Sequence, residues 1–139
     1  MSAIRWEETL SVGVEVIDVD HRRLVAMLDG LYEAVDADDS KEVLARTVES
    51  LLDYTREHFR DEEEVMRRHD YPEIREHMLE HQDLLRKLLT FKKKVDAREL
   101  DLTLEVMDFL GGWLTTHMLG ADKRLGAFLV NRAPAVERS

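Results

Sequence analysis

Five of the six histidines in this chain pair, at helical or near-helical spacing, with a second potential ligand or fall on the same predicted layer. His58 precedes Glu62 by four residues, His77 precedes His81 by four, and His117 precedes Asp122 by five. His21 lies near the start of the first apolar stripe. An i,i+4 pair projects two side chains from one helical face, about 5–6 Å apart at Cβ, which suits one metal ion or two adjacent ones. An i,i+5 pair on an ideal helix would splay by roughly 140°. Gly120 lies between His117 and Asp122, so a helix end or bulge is expected there, turning Asp122 inward. With no cysteine in the chain, disulfides, thiolate zinc sites, iron–sulfur clusters and cysteine nucleophiles are excluded.

These residues need helices to carry them, and the pattern predicts an all-α up-down-up-down four-helix bundle with an N-terminal arm and a short C-terminal helix. The first helix is expected at about 18–37, burying Leu24, Leu28, Leu31 and Val35. Asp39 or Ser40 is the expected N-cap of the second. That helix carries Leu44, Val48, Leu51, Thr55, His58, Glu62 and Met66 on one face and stops near Asp70, ahead of Pro72. The third, about 72–95, buries Ile74, His77, His81, Leu84, Leu88 and Phe91. The fourth, about 100–119, buries Val106, Phe109, Leu110, Trp113 and His117, and a short helix is expected within 121–130. One domain covers 1–139, with an arm at 1–17, the bundle at about 18–120 and a C-terminal segment at 121–139.

Short connections make neighbouring helices antiparallel. The start of the first helix, the end of the second, the start of the third and the end of the fourth then share one end of the bundle. His21, His58, His77, His81 and His117 all fall in that layer. His69 lies about seven residues, roughly 10 Å, past Glu62 along its helix and is too far to join them. Glu63 and Glu64 are expected to face solvent.

Composition narrows the function classes. The formal charge of −10, from 30 acidic against 20 basic residues, argues against nucleic acid as a partner. The local run Arg86, Lys87, Lys92, Lys93, Lys94 and Arg98 reads as a solvated helix face. No apolar run has the length of a membrane span or a signal peptide, so a cytoplasmic protein is expected.

Donor counting sets the nuclearity. Five imidazoles and two bridging carboxylates provide nine donor bonds, and a bridging oxo or hydroxo group adds two. Two octahedral ions offer twelve positions, so one stays open. A single zinc would need only about four ligands and leave buried polar groups unpaired. Imidazole with carboxylate and no thiolate suits iron.

The motifs resemble those of the hemerythrin family, most of all its single-domain bacterial members. His58-Phe59-Arg60-Asp61-Glu62-Glu63 is similar to the family's His-Phe-x-x-Glu-Glu, followed by Met66, Tyr71-Pro72 and His77-x-x-x-His81. Trp113-Leu114-Thr115-Thr116-His117 with Asp122 resembles its closing motif, and Trp6, Gly13, Val14, Ile17, Asp18 and His21 its opening segment. One departure is Asp20, where the family commonly has glutamine.

The resemblance implies that His77, His81 and His117 hold one iron, His21 and His58 the other, and that Glu62 and Asp122 bridge the two. It implies reversible O2 binding at the two-histidine iron, in a pocket lined by Phe59, Met66, Trp113, Leu114 and Met118. Transport, storage or delivery to an oxygen-consuming enzyme would follow, with no catalysis. Nitric oxide and small anions such as azide are further expected ligands. Sensing of O2 or redox state, scavenging of nitric oxide, and oxidase or peroxidase chemistry are the alternative roles.

Overall fold

The computed structural model describes residues 6–38, 41–97 and 104–132, the side chains at 104–107, 109 and 132 excepted. A 3-10 turn at Glu8–Leu10 leads into α1 (Glu15–Asp36), α2 (Lys41–Arg68), α3 (Ile74–Asp96) and α4 (Leu104–His117). A π-helical turn, Met118–Asp122, then joins α4 to α5 (Lys123–Arg132). There is no strand among the described residues. α1 packs on α2 and α4, and α2 packs on α3. The expected N-cap at Asp39 or Ser40 lies outside the described residues, as do the side chains of Val106 and Phe109.

Helix boundaries follow local chemistry. α1 begins at Glu15, three residues earlier than the start expected from its apolar stripe, because the arm is tied to its first turn. The buried Asp18 carboxylate accepts the Val12 N–H at 2.8 Å and the Ser11 hydroxyl at 2.5 Å. Gly13 turns the chain between them with φ of +82°, a conformation only glycine adopts cheaply. α2 ends in a tight turn. Asp70 takes the left-handed conformation at φ 52°, and the Tyr71 N–H returns to the Met66 carbonyl at 3.0 Å. Pro72 therefore stands just before α3, which begins at Ile74 rather than at the proline.

Two apolar clusters form the interior. The larger contains Leu24, Leu28 and Leu31 of α1, Val48, Leu51 and Leu52 of α2, Leu88 of α3, and Leu110, Leu114 and Met118. Val35, Leu44 and Phe91 are only half-buried against it. The smaller gathers Val12 and Val14 of the arm, Ile17, Met66, Tyr71, and Leu125 and Leu129 of α5. Along α1, His21 falls between Ile17 of one cluster and Leu24 of the other. His58 and Glu62 fall between Leu52 and Met66, and Asp122 between Met118 and Leu125. The polar layer is thus sandwiched between two apolar ones.

α5 seats on the arm through Gly126. A Cβ at that position would lie 2.1 Å from the Val12 carbonyl oxygen. Gly126→Ala would gain about 1 kcal/mol of helix propensity but meet backbone that cannot rotate aside, an overpacking cost of about 1–3 kcal/mol or more. Net destabilisation is expected as a lower midpoint in urea unfolding. An unchanged or higher midpoint would contradict this packing.

Candidate metal centre

The π-turn answers the spacing problem between His117 and Asp122. In a π-turn the backbone bonds span five residues, which brings Asp122 round toward the side of His117, and both side chains are buried. His117 Nε2 lies 3.2 Å from Asp122 Oδ1. The break expected beside Gly120 therefore takes the form of a widened turn with the helix continuing beyond it.

All seven residues singled out by spacing converge in the layer between the clusters. His21, His58, Glu62, His77, His81, His117 and Asp122 are at most 4% exposed. Their arrangement divides in two. One group comprises His77, His81 and His117 with Glu62 and Asp122, and the other His21 and His58 with the same two carboxylates. Within each group one donor atom from every residue lies within 4.8 Å of the rest.

The two oxygens of each carboxylate face different groups. Glu62 Oε1 lies 2.7 Å from His77 Nε2 and 3.0 Å from His81 Nε2. Its Oε2 lies 3.2 Å from His58 Nε2 and 3.7 Å from His21 Nε2. Asp122 Oδ1 lies 3.1 Å from His77 Nε2, while Oδ2 lies 3.0 Å from His21 Nε2. This convergence also fixes the helix directions. The beginnings of α1 and α3 meet the ends of α2 and α4 only if neighbours run antiparallel.

Several of these atoms are buried without a hydrogen bond: both nitrogens of His21, Nε2 of His58 and His117, Glu62 Oε2 and both oxygens of Asp122. Buried polar atoms are seldom left so. Here they gather in two groups, with one donor atom of each residue within 4.8 Å of the others. Two cations, one in each group, would satisfy all of them except His21 Nδ1, because each ring offers a cation one nitrogen. The donors are nitrogen and oxygen only, a set suited to iron.

A ring of outer carboxylates holds three of the imidazoles from behind. Asp20 Oδ2 lies 3.0 Å from His58 Nδ1, Glu63 Oε2 2.9 Å from His81 Nδ1, and Glu80 Oε1 2.6 Å from His117 Nδ1. Such partners orient ligand histidines and raise their basicity. Glu63 is thus half-buried against α3, not solvent-facing as its sequence position implied. It sits about 100° round α2 from Glu62, and α3 packs closely enough to cover that angle. Asp20 turns from its neighbour His21 to the facing helix. Glu80 had only a weak sequence signal, its place three residues after His77.

Phe59 stacks flat on His81, with ring centroids 3.8 Å apart and planes at 4°, and tilts against His58 and His117. Leu114 and Met118 lie in the larger cluster, with Trp113 half-buried against it. Met66 lies across the polar layer, in the smaller cluster beside Tyr71 and Leu125. His69 stays out of the site. The described part of the basic run on α3 is largely solvent-exposed and pairs locally, Lys87 with Asp83 at 3.0 Å and Lys92 with Asp96.

A buried cluster of histidines and carboxylates in an antiparallel helical bundle defines a class of metal-binding protein. Comparison with known proteins places the chain within it. The chain belongs to the hemerythrin family: residues 12–129 match the hemerythrin HHE cation-binding domain. That family is known for binding O2 at a di-iron site. The bacteriohemerythrin of Stenotrophomonas maltophilia is 30% identical over 123 residues, covering 88% of this chain and 79% of the relative. The bacteriohemerythrin of Pseudomonas aeruginosa is 33% identical over 124 residues, covering 88% and 78%. The myohemerythrin of Theromyzon tessulatum is 27% identical over 118 residues, covering 85% and 87%. A solved wild-type hemerythrin superposes with a TM-score of 0.84 at 25% identity, covering 91% of this chain and 97% of that one.

In the metal-free chain the cluster compensates its own charge. Burial opposes protonation of His58, but the Asp20 and Glu62 carboxylates outweigh it and push the imidazole up to about 10. Burial likewise opposes protonation of His77 and His117, yet Asp122 and its neighbours raise them to about 9 and about 10. Burial also works against ionising Glu62, but four surrounding histidines hold it well below the usual carboxylate range. Asp122 is lowered too, by His117 and His21, against burial and the Glu62 charge.

The sign of the pH dependence follows. Histidines raised above their unfolded value of about 6.5 stabilise fully below it, and that stability is lost as pH rises through 9–10. The lowered carboxylates stabilise above about 4.3 and lose that as pH falls. Thermal melting of metal-free protein should therefore show greatest stability between about pH 4.5 and 6.5. Metal competes with those protons, so loaded protein should gain most over metal-free protein at higher pH. A metal-free melting temperature that climbs steadily from pH 6 to 9 would contradict the arrangement.

Proposed function

We propose that this chain holds two iron ions, bridged by Glu62, Asp122 and an oxo or hydroxo group, and binds O2 reversibly there for transport, storage or delivery. The observation that supports this most is the division of the donors. His77 and His81 face Glu62 Oε1 and His77 and His117 face Asp122 Oδ1, whereas only His58 and His21 face the opposite oxygens, so the smaller group is the one short of ligands. Two irons held by these seven residues would supply the electrons for reversible O2 binding.

The protein's part is to orient the donors and keep out water and stray protons. Leu114 and Met118 wall the layer on one side, Met66 on the other, and Phe59 fills the gap between three imidazoles. We assign these with Trp113 to the ligand pocket. The five histidines and two carboxylates are the proposed metal ligands, and the carboxylates behind them, Asp20, Glu63 and Glu80, are each already hydrogen-bonded to a ligand ring. That favours binding over turnover.

Two measurements test this reading. Reduced, iron-loaded protein exposed to O2 and then purged should recover its colourless spectrum over repeated cycles. Rapid one-way conversion to an oxidised resting state would favour oxidase, scavenging or redox-sensing roles instead. Glu62→Ala should lose one bridge and much of the iron. Two irons retained per chain in that variant would sink the bridging assignment.

A further inference from the structure

Asp20 stands on α1 directly before His21, yet its carboxylate serves the facing helix. Oδ2 lies 3.0 Å from His58 Nδ1, and Oδ1 accepts a 2.8 Å hydrogen bond from the Tyr54 hydroxyl, one turn earlier on α2. The Arg23 guanidinium lies over the Tyr54 ring, 5.7 Å from its centroid. Asp20 is therefore held from behind while it holds His58. A carboxylate only accepts hydrogen bonds, so it requires the proton of a neutral His58 on Nδ1 and leaves the Nε2 lone pair facing Glu62 Oε2 at 3.2 Å.

The two metal positions differ in this respect. Glu63 and Glu80 back His81 and His117 of the three-histidine group. On the two-histidine side His21 Nδ1 is buried with no hydrogen-bond partner. Asp20 is the one carboxylate hydrogen-bonded behind that side among the described residues. Its side chain is 26% exposed, at the rim of a cleft of about 20 Å³ formed with Val16, Ile17, His58, Asp61, Glu62 and Val65. A charge so placed is less screened than one in open water.

We propose that Asp20, held by Tyr54, is the positioning residue for His58, fixing the ring's tautomer and strengthening its donation at the metal position shared by His21 and His58. This rests on the reading of His58 as a ligand. Removing such a partner from behind a ligand typically weakens metal binding roughly 10–100-fold, and here the loss belongs to one position of two.

The test titrates metal-free full-length protein with Co2+ and measures the reduction potential of the iron-loaded form. Asp20→Ala should weaken the second Co2+ equivalent roughly 10–100-fold and leave the first unchanged. Asp20→Asn keeps an acceptor but loses the charge, so it should weaken binding less and make the reduction potential more positive. Tyr54→Phe should move both quantities the same way by a smaller amount, and Asp20→Glu should recover part of the loss. Unchanged second-site affinity and potential in Asp20→Ala would overturn the proposal. So would equal weakening of both equivalents with a lowered melting temperature, which marks a general structural role. Wild-type protein that takes up fewer than two Co2+ ions would instead overturn the two-metal reading itself.

Discussion

Glu62 and Asp122 are carboxylates with no access to water, set on different helical segments in a largely apolar bundle. An isolated buried carboxylate is costly enough to be protonated or expelled. Here five imidazoles surround the pair, and each acid presents its two oxygens to two different groups of rings. The rest of the molecule can be understood as what this arrangement requires. Four helix ends must meet at one level, so the helices alternate in direction. Water must be kept out, so apolar clusters close the layer on both sides.

The second of those clusters makes the short terminal elements part of the site. The layer lies well inside the bundle, and the end beyond it is closed by the arm, Tyr71 and α5. The buried Asp18 fastens the arm to α1, and Gly126 lets α5 approach it closely. The π-turn has two consequences at once. It turns Asp122 inward, and it sets the direction in which α5 leaves to cover the layer.

Much of this was legible in the sequence because helical spacing is a strong constraint. The i,i+4 pairs and short connections were enough to gather seven residues at one level, and Gly120 marked where helical geometry had to change. What escaped were features decided by packing between helices. Glu63 follows Glu62 and looks like a surface acid until α3 covers it. Asp20 adjoins His21 in sequence but serves His58, because the distance between α1 and α2 decides which ring its carboxylate reaches. The short C-terminal helix was expected, but not its seat on the arm, where Gly126 lets α5 approach Val12. None of these can be read from one helix's periodicity.

The central claim is that Glu62 and Asp122 each join two metal positions of unequal histidine count. Anomalous diffraction from crystals of iron-loaded protein tests it most directly. The account predicts two iron peaks per chain, one among His77, His81 and His117 and the other beside His21 and His58. Each peak should be bonded to one oxygen of Glu62 and one of Asp122. A single peak, or two peaks with both oxygens of either carboxylate on the same iron, would contradict it.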